Sequence, residues 1–543
     1  MEKLAPNRRV KEKINMYKCL YNLELVILAT AKTSFQDYNE PINPKTPANY
    51  VRQLKNTDVD ALMICPTAWK RPLWDSKVDP HWTEEATNIK QPYFTTDLKY
   101  HEKAYFRLRD YMLAGNDPVG VTIETAKELG IAPFISYRMN DHHYLHQENA
   151  FIHPSFWRDN PQFWLGSGSI QSDGMHNSYS EDNRHFDYMH EEVRDYYFSL
   201  LSELAWKYDI AGIELDFMRS PTYFKVADLD RGREIMTSFV RRIRDLLDAV
   251  GRARGKRLSL CVRVPYTTKW SYELGLDIER WDKEKIIDMI NLSTFYINSP
   301  EIDVNGYKAV VKHAALYGEM HFIIDKIQLP NGFANNCTRK MTKEMYRALA
   351  ATFLDRGLDG ISFFNVDYAR HHFFNEPRRN HMPDSEPPLN EFEGITDLSH
   401  LSSLDKHYFI GPYYSNLPMV NKLEQDLYIA DQDITDKFKH AILRIKTERA
   451  CMGINIETRV NGQRLEEIVW MGELFPPLSI EGITAPEYVK YYKVPINILR
   501  HGYNHISAVN LSDDPTLWDK SAVFNMIELA IYRENSFLID NPN

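Results

Sequence analysis

Apolar and polar positions fall into two regimes along the chain. Between residues 23 and 368, eight short β-rich runs recur: "LELVILA" (23–29), "VDALMICP" (59–66), "IAPFISYRMND" (131–141), "IAGIELDFMR" (210–219), "RLSLCVRVP" (257–265), "INLSTFY" (290–296), "HFIIDKI" (321–327) and "GISFFNVDY" (360–368). Segments of helical period lie between them, such as "EVRDYYFSLLSELAWKY" and "REIMTSFVRRIRDLLDAVGRARG", the second ending in Gly as helices often do. Strand and helix alternating in this way predict a (β/α)8 TIM barrel with long inserted loops. A doubly wound open sheet is the alternative, disfavoured because no Gly-rich phosphate loop follows the early strands.

After Pro377 the chain turns polar and Pro-rich, "NEPRRNHMPDSEPPLNEFEG", as a linker or surface excursion does. Beyond about residue 405 the helical period gives way to alternating runs, "KHAILRIKTE", "INIETRVNGQRL", "VKYYKVPINIL", "YNHISAVNL" and "NMIELAIYR", with Asn461-Gly462 a strong hairpin-turn signal. The expected organisation is a barrel over 1–380, a linker over 381–404 and an antiparallel β-sandwich of the jelly-roll kind over 405–543.

Composition narrows the class. With 65 basic and 75 acidic residues the formal charge is −10, the wrong sign for coating nucleic acid. The 32 Tyr, 26 Phe and 10 Trp bring aromatics to 13%, a share that suits sugar-binding clefts although most must be core. No apolar run is long enough for a transmembrane helix, so no membrane partner is expected. The opening "MEKLAPNRRVKEKINMYKC" is charged with no apolar stretch, which reads as a soluble chain without a visible secretion signal, inside the cell or exported with its leader removed. Cys19, Cys65, Cys261, Cys337 and Cys451 are scattered without CxxC pairing and read as buried thiols.

In such barrels the chemistry sits where the strands end. The third run ends in Arg138, Asn140, Asp141, His142 and His143, and the fourth in Glu214, Asp216 and Arg219. The fifth ends in Arg263 and Tyr266, with Trp270, Glu273 and Asp277 just beyond. Tyr296 and Asn298 close the sixth, Asp325 and Lys326 the seventh, and Asn365, Asp367, Tyr368 and Arg370 the eighth. Strand alternation puts Glu214, Asp216 and Met218 on one face and Ile213, Leu215 and Phe217 on the other. Two acids facing a barrel interior need partners. In the structural reading, Arg138 or Arg263 ties up the deeper Glu214 and leaves Asp216 near a ligand. Asp325 or Asp367 alone reads equally well as a loop cap. His142, His143 and His146 lack a second ligand set at a recognisable spacing, so neither a metal nor another cofactor is expected. Trp157, Trp164, Trp270 and Tyr296 are the candidate stacking platforms.

"GIELDFMRSP" resembles the GI-x-LD-x-x-R strand of glycoside-hydrolase-like barrels related to family 10 glycosyl hydrolases, found among bacterial polysaccharide-degrading proteins. "ISYRMNDHH" (135–143), "LGLDIERWDKEKIIDMINLSTFY" (274–296) and "GISFFNVDY" agree in the same order, so the likeness spans roughly residues 20 to 380. The resemblance implies a barrel glycosidase acting on a poly- or oligosaccharide, and it matches the strand-four carboxylate to Asp216. The best-known barrel glycosidases carry an Asn-Glu pair after strand four and a nucleophilic Glu on strand seven, where this chain has Asp216 and Asp325. Glycoside hydrolysis uses two carboxyl groups flanking the bond. The partner of Asp216 is sought first at Glu273, second at Asp277 and third at Asp325. The remaining strand-end groups, Arg138, Asn140, Asp141, His142, Glu214, Arg219, Arg263, Trp270, Tyr296, Asp325, Lys326, Asn365 and Asp367, are the candidate substrate contacts. So many cations suit a sulfated or uronic glycan of algal or plant type. Two other readings stay open, a carbohydrate-binding barrel without catalysis and a metal-dependent hydrolase.

Overall fold

The computed structural model describes residues 17–37, 39–82, 99–141, 143–145, 148, 150–166, 183–295, 297–327, 337–370, 386–448, 454–469, 479–480, 483–484, 488–516 and 520–533. Eight parallel strands close into a barrel: β1 (Cys19–Glu24), β2 (Ala61–Cys65), β3 (Ala132–Arg138), β4 (Gly212–Asp216), β5 (Ser259–Pro265), β6 (Met289–Ser293), β7 (Ala315–Met320) and β8 (Gly360–Phe363). Each pairs with its neighbours in sequence order, and β8 pairs with β1.

Alternation sorts each strand's side chains. Ile213, Leu215 and Phe217 face outward into the main core, with Leu200, Leu201 and Leu204 of α1 (Glu191–Lys207) and Met236, Val240 and Ile243 of α2 (Leu229–Arg254). The long helix α2 stops at Gly255, whose φ of 67° turns the chain out of the helix. Inward-facing Leu20, Met63, Phe134, Cys261, Met289 and Tyr317 fill the lower end as a separate apolar cluster. Phe134 takes the space where Gly212 has no side chain: a Cβ there would lie 2.5 Å from the ring and 2.2 Å from the Ser259 carbonyl oxygen.

Two barrel strands differ from expectation. The first is Cys19–Glu24, and the apolar run that follows is equally buried but makes a helical turn, Ile27–Thr30. A short run buried on all sides carries no period that tells strand from helix. The seventh is Ala315–Met320, not "HFIIDKI". Its Gly318 and Glu319 weaken the strand signal, but both have reasons: a Cβ on Gly318 would stand 2.3 Å from the ring of Phe353 on the covering helix α3 (Lys343–Asp355), and Glu319 faces the charged interior. Ile323–Ile327 pairs antiparallel with Cys337–Lys340 in a hairpin outside the barrel.

The C-terminal part is a two-sheet sandwich. One sheet runs Lys406–Ile410, Val523–Tyr532, His440–Thr447, Tyr488–Lys493, Glu466–Ile468, with Met419–Val420 added on Val523–Tyr532. The other runs Lys422–Ile429, Gly502–Asn510, Ile456–Val460, Gln463–Arg464. Asn461 and Gly462 turn between the last two with φ of 49° and 83°, the positive pair a two-residue hairpin turn requires. The sandwich is fastened to the barrel by buried charge. Glu528 accepts from Arg339 of the hairpin at 2.8 Å, with a second Arg339 nitrogen 2.7 Å away, and from Arg444 of its own sheet, while Lys446 pairs with Asp325. Residues 386–404 also lie on the barrel: Phe392 stacks on Phe363 at 3.9 Å, and Asp58 accepts the backbone N–H groups of Gly394 and Thr396. No described helix is long and apolar enough to cross a membrane.

The Phe134 contact predicts that Gly212→Ala destabilises the chain by about 1–3 kcal/mol, the usual cost of overpacking. Urea unfolding of the variant beside the parent measures it, and an unchanged midpoint would contradict this packing.

Candidate active site

Above the apolar floor the inward positions become polar. Ser136, Glu214, Asn291 and Ser362 come first, then Asp216, Arg263, Ser293 and Glu319 toward the strand ends, all buried. Arg263, fully buried on β5, organises this layer. Its guanidinium grips Glu319 of β7 through two bonds of 2.5 and 2.8 Å, donates to Asp216 of β4 at 2.9 Å and to Ser293 of β6 at 3.0 Å, and lies 3.6 Å from the ring centre of Phe364. Asp216 also accepts the Met218 N–H at 2.9 Å, which fixes its rotamer at the strand end. His321 stands 3.0 Å from Glu319.

Glu214, one strand repeat deeper, has no arginine partner among the described residues. It accepts from Ser136 at 2.7 Å, with Asn291 and the Cys261 thiol at 3.4 and 3.5 Å. The expected Arg263–Glu214 pair is therefore replaced by Arg263–Asp216, because Arg263 is level with Asp216 in the β4–β5 register and Cys261 is level with Glu214. Burial, and then the charge of Asp216, push the Glu214 carboxyl up to about 7. Burial works in the same direction on Glu319, but Arg263 and His321 outweigh it and hold this carboxyl at about 2. Two acids of one buried layer thus differ strongly in proton affinity.

A second layer of charge rings the rim. Arg138 pairs with Glu24 of β1 and, at 3.2 Å, with Asp141. Asp141 meets His143 Nδ1 at 2.6 Å, and His143 Nε2 meets Arg219 at 2.5 Å. Burial drops His143 to about 4, so the neutral ring donates from Nδ1 to Asp141 and accepts at Nε2 from Arg219. Tyr368 donates to Glu24 at 2.5 Å. The loops holding this rim are strained. Trp69, Tyr144, Ser220, Phe295 and Asn365, in the loops after β2, β3, β4, β6 and β8, all have positive φ without being glycine.

Other expected site residues lie elsewhere. Glu273 ends the helix Thr268–Glu273 with a half-exposed side chain 3.7 Å from Lys269, and Asp277 caps the next helix by accepting the Arg280 N–H at 3.1 Å. Neither is brought to Asp216, because the loop after β5 folds into two short helices that use these acids locally. Asp325, on the outer hairpin, faces the sandwich through Lys446. Asp367 turns to the outside of the barrel, accepting from Tyr21 at 2.8 Å and pairing with Arg370. Asn140 is spent on backbone, donating to the carbonyls of Phe186 and Thr222 and accepting the Phe186 N–H, which joins the loops after β3 and β4. Asn365 is buried at its left-handed turn, and Trp270 packs edge-on against Tyr266 at 5.9 Å. His142, Tyr296 and the Lys326 side chain lie outside the described residues. Among the described residues no group of three or more His, Cys, Asp or Glu is arranged to hold a metal ion.

Sequence reasoning missed Glu24, Asn291, Glu319 and His321. The signal for Glu319 was its isolation as the one charge in "ALYGEM", the mark that singled out Glu214 and Asp216 in "GIELD".

No family model and no curated protein sequence matches the chain. Among solved structures it is similar to the PgaB (BpsB) glycoside hydrolase domain from Bordetella bronchiseptica, at 10% identity over 70% of this chain and 99% of that one, with a TM-score of 0.38. It is also similar to a glycoside hydrolase family 18 N-acetylglucosaminidase from Paenibacillus barengoltzii, at 12% identity over 64% and 95% of the two chains and a TM-score of 0.33. The spore cortex-lytic enzyme SleL from Bacillus megaterium gives 10% identity over 64% and 70% and a TM-score of 0.34. Likenesses at these scores carry no argument about chemistry, which rests on the residues above.

Glu214 makes stability depend on pH in a defined direction. Its carboxyl holds a proton more tightly folded than unfolded, so stability is lost as pH rises from the ordinary glutamate value of 4.5 to about 7. That loss is on the order of 3 kcal/mol. Glu214→Gln removes it, so the stability of the variant relative to the parent should rise between pH 4 and pH 8 by that amount. Urea unfolding at the two pH values tests this, and a constant difference would show that Glu214 titrates normally.

Proposed function

We propose that the chain is a glycoside hydrolase that cleaves a glycosidic bond in a poly- or oligosaccharide with two carboxyl groups, Asp216 on β4 and Glu319 on β7. The observation that carries this reading is their placement: both face inward near the ends of strands four and seven, on either side of the Arg263 guanidinium. Glu319 takes the strand-seven position for which Asp325 was considered. Such a reaction needs one ionised carboxylate as nucleophile or base and one proton donor for the leaving oxygen. Glu319, held near 2, supplies the first. Glu214 and Asp216 together supply the second: Glu214 holds a proton up to about pH 7 and passes it to Asp216, two residues on along the same face of β4 and closer to the strand end, which delivers it to the leaving oxygen. Opposed shifts of neighbouring acids are the arrangement by which one cavity runs acid and base chemistry together.

The complete mutual pairing of Arg263, Asp216 and Glu319, all essentially without solvent contact, favours a second reading, a carbohydrate-binding barrel whose charges are structural. Asp216→Asn and Glu319→Gln separate the two. In the hydrolase each variant loses at least about 100-fold in kcat, the low end for proton-transfer and nucleophilic groups, measured as reducing ends released from a panel of neutral, sulfated and uronic oligosaccharides. Each also loses stability, up to about 3–5 kcal/mol where breaking the pair strands a buried charge, so kcat is compared at a temperature where circular dichroism shows both variants folded. Full rates in the folded variants, or no release by the parent on any glycan, would overturn the hydrolase reading.

A further inference from the structure

Under the loops after β2 and β3, beside the rim, lies a small pocket of about 30 Å³ whose walls include Trp69, Lys70, Arg138, Asp141, Trp157 and Tyr197. At roughly 10–15 Å³ per water-sized group, it has room for a substituent of a few atoms and not for a sugar ring. Lys70 Nζ donates to His153 Nδ1 at 3.1 Å and lies 5.2 Å from the ring centre of Trp157, which stacks on His153 at 4.0 Å. The other nitrogen of His153 is 3.0 Å from the Tyr144 carbonyl and donates there, which leaves Nδ1 as acceptor for the lysine. An ammonium has three donors, and among the described residues one of them is used.

The other charges around the pocket are already matched. Arg138 is held by Glu24 and Asp141, and Asp141 by Arg138 and His143. Trp69, next to Lys70 in sequence, and Tyr144, whose carbonyl meets His153, both have left-handed backbone without being glycine, at φ of 55° and 53°. Such strain costs of order 1–3 kcal/mol at each position and persists where a particular side-chain aim is held.

We infer that this pocket is a specificity subsite for a carboxylate carried on a sugar, so that the glycan contains a uronic acid whose carboxylate is bound by Lys70. The inference rests on the glycoside hydrolase reading for its sugar and on the pocket for its anion. Three heavy atoms of a carboxylate suit the space better than a sulfate's five. The pair would be a charge-assisted hydrogen bond, with Trp69 and Trp157 as apolar walls.

The subsite has a pH signature. Burial lowers the Lys70 ammonium to about 7, with the Asp141 charge working the other way. Facing it are Arg138, Asp141 and His153, and the phenols of Tyr137, Tyr196 and Tyr197, all raised by burial and neutral through this range. The carboxylate binds the protonated lysine, so affinity is full below pH 7 and falls as pH rises past it.

Calorimetric titration of the full chain with D-glucuronate, D-glucose and acetate, at pH 6.0 and pH 8.5, tests this. Glucuronate should bind at least tenfold tighter than either comparator at pH 6.0, and its affinity should fall roughly thirtyfold by pH 8.5 as the lysine loses its proton. Lys70→Gln should abolish the preference for glucuronate over glucose, and the pH arm on the parent stands whether or not that variant folds. Equal binding of glucose or of acetate, a flat pH dependence, or an unaltered preference in folded Lys70→Gln would overturn the proposal. Glucuronate binding of the expected kind with no glycan hydrolysed would remove the hydrolase reading and keep the pocket; hydrolysis without any uronate preference would do the reverse.

Discussion

The guanidinium of Arg263 is the constraint on which the upper half of the barrel depends. A cation on β5 with no solvent contact carries a desolvation cost of several kcal/mol, which only well-placed counter-charges offset. Glu319 and Asp216 supply them from β7 and β4, so three strands are tied through one planar group, with Ser293 and the face of Phe364 completing its surroundings. The balance has a consequence for the third acid. Glu214, one strand repeat below the level of the guanidinium, gains no such bond from Arg263, and burial together with the charge of Asp216 pushes its carboxyl up to about 7. The unequal proton affinities of Glu214 and Glu319 therefore follow from which of them the guanidinium reaches.

The rim repeats this logic with a different outcome. Glu24, Arg138, Asp141, His143 and Arg219 form a chain in which each charge has a neighbour of opposite sign or a neutral imidazole. The abundance of arginine and histidine in the loops thus carries no demand for an anionic ligand at these positions: the acids of β1 and the β3 loop answer it from within. Lys70, held by a histidine in an aromatic pocket, stands outside this compensation.

Much of the fold was legible because the strand and helix periods differ and because "GIELD" places apolar and acidic residues on opposite faces. The seventh strand was not, since "ALYGEM" gains its stability from a charge pair and a helix contact that periodicity cannot register, while the more apolar "HFIIDKI" forms an outer hairpin under the sandwich. That one displacement carried the site with it: it put Asp325 forward and hid Glu319. Shifting the first strand to Cys19–Glu24 likewise uncovered Glu24, the partner of Arg138. The loop residues were the least legible. Glu273, Asp277 and Asn140 have the chemistry of site residues, but an acid or amide near a helix start or between two loops is as readily used by backbone N–H and carbonyl groups, and here capping, a neighbouring lysine and loop-joining take them.

The lower and upper halves of the barrel solve one packing problem in two ways, and the difference bears on what the upper half is for. The floor is filled by Leu20, Met63, Phe134 and Met289, which bury apolar surface with no charge to neutralise. An apolar layer is the ordinary alternative higher up as well, because replacing a buried ion pair with well-packed apolar residues is often neutral or favourable. The chain instead keeps an arginine, three carboxylates and a buried histidine at the end of the barrel where such folds carry their chemistry, under loops whose backbone is strained at five positions. Charge and strain are both expensive, and this end of the barrel holds both together. Stability alone gives no account of that coincidence, whereas a reaction that passes a proton to one oxygen and meets developing positive charge with a fixed carboxylate requires acids of unequal proton affinity held rigidly in a dry space.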